Sequence, residues 1–220
     1  QVDADRVYMC GMSNGGFMSY YSACEMTDKI AAIASVTGTM NNVIYDNCNP
    51  TRSIPVLEIH GTQDSTVPYL GLENSGSFQT MMATEDVVDF WVNHNNCTES
   101  QIVEMEDLSI TDFSTVTHFS YTGGDNGASV ELYRVNEGGH TWPGSIIPLP
   151  GVVTNHDINA SEVIWDFFNQ YDIDGLLGVE DILQETNFSI SPNPMNTSAV
   201  VNSLFTIDEY IIYDLQGKVV

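Results

Sequence analysis

The sequence has 220 residues, of which 42% are hydrophobic, and 5 Lys or Arg against 30 Asp or Glu give a formal net charge of −25. This length fits one full domain with a short appendage, and the apolar content is enough for a sizeable core. A surface this negative repels phosphate backbones and anionic membranes, which argues against nucleic-acid and membrane-surface partners. No apolar run approaches the roughly 20 residues that cross a bilayer. Charged residues make up only 16%, a composition that tends towards extracellular proteins.

Neither end of the sequence resembles a natural terminus. It starts at Gln1 without a Met or a signal peptide, and it stops at Val220 within an apparent strand. We therefore expect this chain to be a segment of a longer protein.

Apolar patterns predict strands that alternate with helices along most of the chain. Strands are predicted at 6–10, at the end of 30–36, and at 54–59, 115–121 and 129–135. Helices are predicted at 17–26, 84–93 and 161–171, with a loop at 41–51. The last helix is expected to bury Val163, Ile164, Trp165, Phe167 and Phe168, and to be capped by Asn159 or Asp157. The alternation predicts an α/β protein with a mostly parallel sheet and helices on both faces.

The pattern changes after residue 173. Residues 174–186 read as a linker, and residues 187–220 contain Pro, Asn and short β-type runs such as 210–213. We predict a domain at 1–173, a linker at 174–186 and a partial second domain at 187–220. The stretch with Asp172, Asp174 and Gly175 lacks the further ligands of a calcium loop, so no metal site is predicted.

The segment GMSNG at 11–15 matches the nucleophile-elbow pattern G-x-S-x-G. In an elbow the chain turns sharply from a strand into a helix, and the two glycines leave room for that close packing. A predicted strand precedes Ser13 and a predicted helix follows it, which favours an elbow over an ordinary Gly-rich turn. Ser13 is therefore the candidate nucleophile.

A serine nucleophile needs a base, and the base needs an orienting acid. In α/β-hydrolases the chain order is Ser, then Asp or Glu, then His. Asp64 and His140 follow in that order, each just after a predicted strand. Since the carboxyl ends of parallel strands meet at one sheet edge, Ser13, Asp64 and His140 are the predicted triad.

Other titratable residues are weaker candidates. His156 is the best alternative base, because it also lies in a loop before a helix, and Asp125 and Asp157 are the alternative acids. His60 precedes Asp64 in the chain and is expected to pack or to form hydrogen bonds at the strand end. His94 is expected to be exposed, and His118 falls within a strand.

Four cysteines, at 10, 24, 48 and 97, lack the C-x-x-C spacing of zinc or redox sites. Cys10 is expected to be a buried free thiol, because it lies in an apolar strand. At most one disulfide is expected among the other three, and four cysteines allow three complete pairings.

Three blocks, GMSNGG at 11–16, HGTQDSTVPY at 60–69 and GGHTWPG at 138–144, resemble those of secreted polyhydroxybutyrate-depolymerase-like and feruloyl-esterase-like α/β-hydrolases. Residues 160–168 resemble that family's final helix. The resemblance spans residues 3 to about 171 and implies an α/β-hydrolase fold. It implies the same triad of Ser13, Asp64 and His140, without a metal or organic cofactor.

The resemblance also implies that early strands, and a loop with one oxyanion-hole N–H, are absent from this segment. The backbone N–H of Asn14 would supply the other donor. Loss of one donor typically lowers the rate by about 10²–10³-fold, so the segment alone is expected to be weak or inactive. The family pattern further suggests a Cys24–Cys48 disulfide, and an unpaired Cys97 whose usual partner's place is taken by Ser114.

The tail resembles a different family. FSISPNP at 188–194 and IYDLQGKVV at 212–220 are similar to the C-terminal sorting domain of the type IX secretion system in Bacteroidetes-type bacteria, a small β-sandwich. This resemblance implies export to the cell surface or the medium, with the secretion machinery as a partner. A generic β appendage is the alternative.

Together these features predict a secreted serine carboxylesterase that acts through an acyl-enzyme. The expected substrates are feruloyl or acetyl esters on polysaccharide, or short polyhydroxyalkanoate. Trp142 either lines the substrate pocket or packs the His140 loop, and the sequence does not favour one role. A serine peptidase of the same fold, or a non-catalytic surface binding protein, is the alternative.

Overall fold

A computed structural model describes residues 3–73, 80–147, 150–177, 188–191 and 200–203, the last two as backbone only. The chain divides into two compact units, residues 1–176 and 177–220. The first unit holds a six-stranded sheet. Its strands are β1 (Tyr8–Met12), β2 (Ala32–Val36), β3 (Val56–Gly61), β4 (Glu99–Glu104), β5 (Thr115–Thr122) and β6 (Val130–Asn136).

The strand order in this sheet is β1-β2-β3-β6-β5-β4. Strands β1, β2, β3 and β6 run parallel, while β5 and β4 are antiparallel additions at one side. The predicted mostly parallel sheet is therefore confirmed. In this arrangement the loops that follow β1, β3 and β6 emerge at the same edge of the sheet.

Helices cover both faces of the sheet, as predicted. They are α1 (Asn14–Glu25), α2 (Asn42–Asn47), α3 (Thr84–His94) and α4 (Ala160–Phe168). Helices α1 and α3 bury Tyr20 and Trp91 against Ile33 on one face, whereas α4 buries Ile164 and Phe167 with Ala34 on the other. Ile33 and Ala34, which are neighbours on β2, thus lie in the cores on opposite faces of the sheet, because successive side chains of a strand point to opposite faces.

Strand β3 lies at the centre of the parallel region. All six of its residues are buried, because β2 and β6 flank it and helices cover both of its faces. This strand carries the loop that holds Asp64. The parallel half of the sheet therefore gives that loop a rigid base.

Two predictions about burial are wrong. Cys10 is exposed, because β1 is the edge strand of the sheet among the described residues and its outer side chains are incompletely covered. Trp165 is 58% exposed, because it lies beside the stripe formed by Ile164, Phe167 and Phe168. Asn159 caps α4, its side chain accepting a hydrogen bond from Ser161 N at 3.0 Å.

Three elements differ from the predicted ones. The expected loop at 41–51 contains α2, which Asn41 caps through its side chain. Strand β4 was not predicted, and all six of its residues are exposed at the sheet edge. The predicted helix at 161–171 ends at Phe168, and the chain then forms a hairpin of β7 (Tyr171–Asp172) and β8 (Gly175–Leu176) that includes the start of the expected linker. In this hairpin Asp172 Oδ1 accepts hydrogen bonds from the N–H groups of Asp174 and Gly175.

The second unit contains an antiparallel pair, β9 (Phe188–Ser191) and β10 (Val200–Ser203). The predicted β-type run at 210–213 lies outside the described residues. The domain boundaries and the sorting-domain resemblance stay predictions.

Candidate active site

Ser13 occupies the sharp turn between β1 and α1. Its backbone has φ 56° and ψ −118°, and its N–H donates to the carbonyl of Val36 at the end of β2, at 2.8 Å. Holding a residue other than Gly in such a conformation costs about 1–3 kcal/mol and is tolerated where the surroundings fix it. The turn places Ser13 at the carboxyl edge of the sheet, partly exposed.

Close packing around this turn depends on glycines at 11, 16 and 38. A Cβ on Gly11 would lie 2.7 Å from Cα of Gly15, and a Cβ on Gly16 would lie 2.9 Å from Cα of Gly38 and against Ser35 Oγ. Nothing lies within 4 Å of the corresponding position on Gly15. The elbow pattern correctly indicated a steric requirement at Gly11, but the second requirement falls on Gly16 instead of Gly15.

Asp64 lies in the loop after β3 and is almost fully buried. Its Oδ1 accepts hydrogen bonds from Thr66 N and Val67 N, each at 2.8 Å. These two bonds close a tight turn on the carboxylate. They leave Oδ2 directed at the neighbouring loop.

His140 lies in the loop after β6 and reaches that oxygen. Its Nδ1 donates to Asp64 Oδ2 at 2.6 Å, with the Asp64 side chain 0% exposed and the His140 side chain 18% exposed. The two loops are also joined by a hydrogen bond from Gln63 N to Gly138 O at 2.9 Å. A proton on Nδ1 leaves Nε2 as the free basic nitrogen, which is what a general base requires.

The structure therefore brings Asp64 and His140 into direct contact and places Ser13 at the same edge of the sheet. Strand β2 separates the Ser13 strand from the Asp64 strand. Among the described residues, no hydrogen bond joins the Ser13 hydroxyl to the His140 ring. Catalytic hydrogen bonds are often long before substrate binds, so the Ser13–His140 contact stays a prediction.

Asn14 is the first residue of α1 and is exposed. The first N–H groups of a helix have no partner within the helix, and the helix dipole places positive potential there. The Asn14 N–H, next to Ser13, can therefore donate to an oxyanion that forms on a bound ester.

Trp142 lies two residues after His140 and is partly buried. Its Nε1 donates to Ser161 Oγ in α4 at 3.1 Å, and its ring packs against the core cluster on the α4 face. These contacts tie the His140 loop to α4. The part of the ring that stays exposed leaves a role in substrate binding as a prediction.

The alternative base and the alternative acids form hydrogen bonds with residues outside the Asp64–His140 pair. His156 is exposed, and its backbone N–H donates to Asp112 at 2.9 Å. Asp157 accepts from the backbone N–H groups of Leu108 and Ser109, and Asp125 accepts from the Asn96 side chain.

The histidines on α3 and β5 have partners of their own, and the expectation that His94 is exposed is wrong. His94 is half-buried beside Arg52 O, and His118 on β5 pairs with Glu131 at 2.8 Å.

His60 packs and forms hydrogen bonds at the end of its strand, as predicted, but its partner Glu58 was missed from the sequence. Glu58 and His60 lie on β3, fully buried, with His60 Nδ1 2.9 Å from Glu58 Oε1. The Tyr20 hydroxyl donates to Glu58 Oε2 at 2.8 Å, and burial together with this carboxylate raises the pKa of Tyr20 well above its ordinary value. A glutamate in the otherwise apolar stretch IPVLEI was the signal that could have revealed this pair.

Cys24 and Cys48 form a disulfide that links the end of α1 to the residue after α2. Cys97 is a free thiol of intermediate exposure. Ser114 and Cys97 flank opposite ends of β5, so the expected substitution of a Cys97 partner by Ser114 is wrong. The antiparallel pairing of β4 with β5 places Cys97 beside the end of β5 at Thr122, whereas Ser114 precedes the start of β5 at Thr115.

Within the described ranges, no cluster of three or more His, Cys, Asp or Glu side chains could hold a metal ion. No helix among these residues is long and apolar enough to span a membrane.

Comparison with known proteins gives relatives that are esterases by name. NocK of Nocardia uniformis subsp. tsuyamanensis, named as an esterase, is 29% identical over 76% of this chain and 52% of its own. Feruloyl esterase B of Piromyces equi is 33% identical over 63% of this chain and 25% of its own. The bifunctional acetylxylan esterase/xylanase XynS20E of Neocallimastix patriciarum is 24% identical over 79% of this chain and 22% of its own. The chain thus spans about half of NocK and about a quarter of the other two.

The sequence profile of the Phospholipase/Carboxylesterase family matches residues 1–110, half of the chain, a range that includes Ser13 and Asp64. An elbow serine after β1, an acid after β3 and a histidine after β6 at one sheet edge fit that assignment. The chain belongs to the phospholipase/carboxylesterase family of α/β-hydrolases.

Proposed function

We propose that this protein is a serine carboxylesterase in which Ser13 is the nucleophile, His140 the general base and Asp64 the orienting acid. The observation that carries the proposal is the buried 2.6 Å hydrogen bond between His140 Nδ1 and Asp64 Oδ2. A buried carboxylate that fixes a partly exposed imidazole at a sheet edge is the acid–base half of a triad. The strained backbone of Ser13 supports its role as the nucleophile. The membership of the chain in the carboxylesterase family supports the same role.

The first half of the reaction forms an acyl-enzyme. His140 Nε2 takes the hydroxyl proton of Ser13 while Oγ attacks the ester carbonyl carbon. Asp64 stabilises the imidazolium that results and keeps its ring oriented. The Asn14 N–H donates to the oxyanion, and the imidazolium then protonates the leaving alcohol as the C–O bond breaks.

The second half of the reaction releases the carboxylic acid product. A water molecule gives its proton to His140 Nε2 and attacks the acyl carbon, and the collapse of the second tetrahedral intermediate returns the proton to Ser13 Oγ. Each proton taken is returned and no atom changes oxidation state, so the cycle needs no redox cofactor.

Polymer-linked esters are the proposed substrates. Feruloyl esterase B is named for feruloyl esters and XynS20E is named for acetylxylan, and this chain is similar to both. We therefore infer feruloyl or acetyl esters on polysaccharide as the first class to test. Short polyhydroxyalkanoate, suggested by the sequence blocks, is the second.

We also propose that the protein is exported to the cell surface or the medium. The Cys24–Cys48 disulfide supports an oxidising compartment, since disulfides persist mainly outside the reducing cytosol. The tail motifs at 188–194 and 212–220 support delivery by a type IX secretion system. Removing residues 177–220 is expected to leave the protein inside the cell without changing its esterase activity.

Substrate panels test the activity. The full-length natural protein is expected to hydrolyse p-nitrophenyl acetate and methyl ferulate, and the Ser13→Ala variant to lose this activity. Hydrolysis of an arylamide without hydrolysis of either ester would replace the proposal with a peptidase. Binding of xylan with no hydrolysis of any ester would replace it with a surface binding protein.

A further inference from the structure

The centre of the sheet contains a buried acidic residue that an ordinary core would exclude. Glu58 is 1% exposed and His60 is 0% exposed, and both project from the same face of β3. Removing a charge from water costs several kcal/mol per ion unless close partners offset it. Glu58 has two such partners, since the Tyr20 hydroxyl lies 2.8 Å from Oε2 and His60 Nδ1 lies 2.9 Å from Oε1.

The far side of the His60 ring faces the Asp64 loop. His60 Nε2 lies 2.9 Å from the carbonyl oxygen of Val67, which can only accept, so Nε2 carries a proton and donates it. The N–H of Val67 in turn donates to Asp64 Oδ1 at 2.8 Å. One residue of the loop is therefore held at its carbonyl by His60 and at its N–H by Asp64.

His60 also lies close to the carboxylate that orients His140. Its Nε2 is 3.6 Å from Asp64 Oδ2, the same oxygen that accepts from His140. A chain of polar groups thus runs from Tyr20 through Glu58 and His60 to Asp64 and His140. Everything in this chain except His140 is fully or almost fully buried.

The groups packed around His60 determine its charge. Burial lowers the pKa of His60, but the Glu58 carboxylate, the Val67 carbonyl and Asp64 together raise it above its ordinary value. Burial raises the pKa of Glu58, while the hydrogen bonds from His60 and Tyr20 oppose that change. The Tyr69 ring meets His60 edge-on at 5.8 Å, and its hydroxyl donates to Glu85, which lies 3.8 Å from Arg134 Nη1.

We propose, resting on the proposed esterase function, that Glu58 and His60 are positioning residues for the acid–base pair. Glu58 keeps protons on both nitrogens of His60, and the resulting imidazolium holds the Asp64 loop and places a positive charge beside the Asp64 carboxylate. That charge lies beside the carboxylate that stabilises the His140 imidazolium during the reaction, so the acidic limb of the pH–rate profile should depend on it.

The Glu58→Gln variant removes the negative charge of this side chain and keeps its shape. The Gln amide can donate to His60 Nδ1, so a neutral His60 retains its Nε2 proton and its bond to Val67. We expect the midpoint of the acidic limb of kcat/KM on p-nitrophenyl acetate to move upward by about 0.5–1 pH unit, since a nearby positive charge is lost. Below that midpoint, kcat/KM falls by about threefold to tenfold.

Glu131→Gln is the matched control. It makes the same change in a second Glu–His pair, in which Glu131 Oε2 lies 2.8 Å from His118 Nε2 on β5 and β6. We expect this variant to keep the pH midpoint of the unaltered protein. Equal midpoints in Glu58→Gln and Glu131→Gln would overturn the proposal.

NMR of the imidazole nitrogens keeps the test independent of catalysis. In the unaltered protein, both His60 nitrogens are expected to carry protons below pH 6.5, and in Glu58→Gln the Nδ1 proton is expected to be lost. A neutral His60 in the unaltered protein, or a His60 with both protons in folded Glu58→Gln, overturns the positioning role even if ester hydrolysis is present. Absence of ester hydrolysis with these NMR signals as expected would instead reject the proposed function and leave the Glu58–His60 charge pair standing.

Discussion

His140 and Asp64 lie 76 residues apart in the chain, yet His140 Nδ1 donates to Asp64 Oδ2 across 2.6 Å. The contact exists because β3 and β6 are adjacent and parallel, so the loops after them leave the sheet side by side. Neither loop could form it alone. Hydrogen bonds from the loop backbones to neighbouring carbonyls, such as Thr62 N to Val135 O at 2.9 Å, fix the separation.

Removing either member of this pair should abolish most of the activity. Asp64→Asn keeps the size of the side chain but favours the wrong His140 tautomer, which lowers kcat by about 10⁴-fold in such triads. His140→Ala should lower it at least as much. Steady-state hydrolysis of p-nitrophenyl acetate measures both.

The alternative acids and bases provide controls for that experiment. His156→Ala and Asp125→Asn change exposed residues of the same types and should leave kcat within about twofold, since exposed substitutions away from a site have small effects. A loss of activity in His156→Ala as large as in His140→Ala would move the base to His156.

Two adjacent glycines of the elbow should respond differently to the same substitution. Gly16→Ala places a Cβ against Ser35 Oγ and 2.9 Å from Gly38 Cα, and overpacking of this kind costs about 1–3 kcal/mol in the free energy of unfolding. Gly15→Ala meets no atom within 4 Å. It should leave stability unchanged or raise it by up to about 1 kcal/mol, because Ala is the better helix former.

Urea unfolding of the two variants checks this contrast. Equal losses of stability would mean that the packing at the turn differs from the one described.

The Cys24–Cys48 disulfide should contribute measurably to stability. It joins residues 24 positions apart, and closing a loop of that length stabilises the fold by about 3 kcal/mol in the chain-entropy account. The double variant Cys24→Ser/Cys48→Ser should lose about that much in urea unfolding. Cys97→Ser, at a free thiol, is the control and should lose less than about 1 kcal/mol.

Reductant provides the second arm of the disulfide experiment. Dithiothreitol should lower the stability of the unaltered protein to that of the double variant and leave the double variant unchanged. Insensitivity of the unaltered protein to reductant would show that the bond adds nothing to stability.

The buried pair on β3 predicts a direction for the pH dependence of stability. The Glu58 carboxylate raises the pKa of His60 above the ordinary 6.5, so the folded state binds this proton more tightly than the unfolded state. The stabilisation is fully present below 6.5 and is lost as pH rises through the folded pKa. Burial raises the pKa of Glu58 too, which acts in the same direction.

Thermal unfolding above pH 6.5 measures this effect, and in Glu58→Gln the fall in stability with rising pH should flatten. Stability that rises with pH across this window in the unaltered protein would contradict the assignment of a protonated His60.

The chain order of motifs was enough to predict the parallel half of the fold and the Asp64–His140 contact. Glycine follows the strands around Cys10, Leu57 and Leu132 closely in the sequence, and parallel pairing then fixes which loops meet. The exposure of Cys10 could not be predicted, because burial of an edge strand depends on what covers it and not on its own residues. Strand β4 lacks a buried face, so its sequence carries no alternating pattern.

The role of Glu58 was also hidden from sequence reasoning. A single acidic residue within an apolar strand is compatible with a sheet edge, a bulge or a buried pair, and only tertiary packing separates them. Tyr20 and His60, which satisfy its oxygens, come from α1 and from the same strand. Local patterns do not encode such a three-way contact.

Covalent labelling tests the central claim most directly. The full-length natural protein is treated with a fluorophosphonate, and the adduct is located by mass spectrometry of its peptides. We predict one adduct per molecule, on Ser13, that is absent in Ser13→Ala and strongly slowed in His140→Ala. A folded protein that takes no label, or takes it on another serine, would contradict the triad.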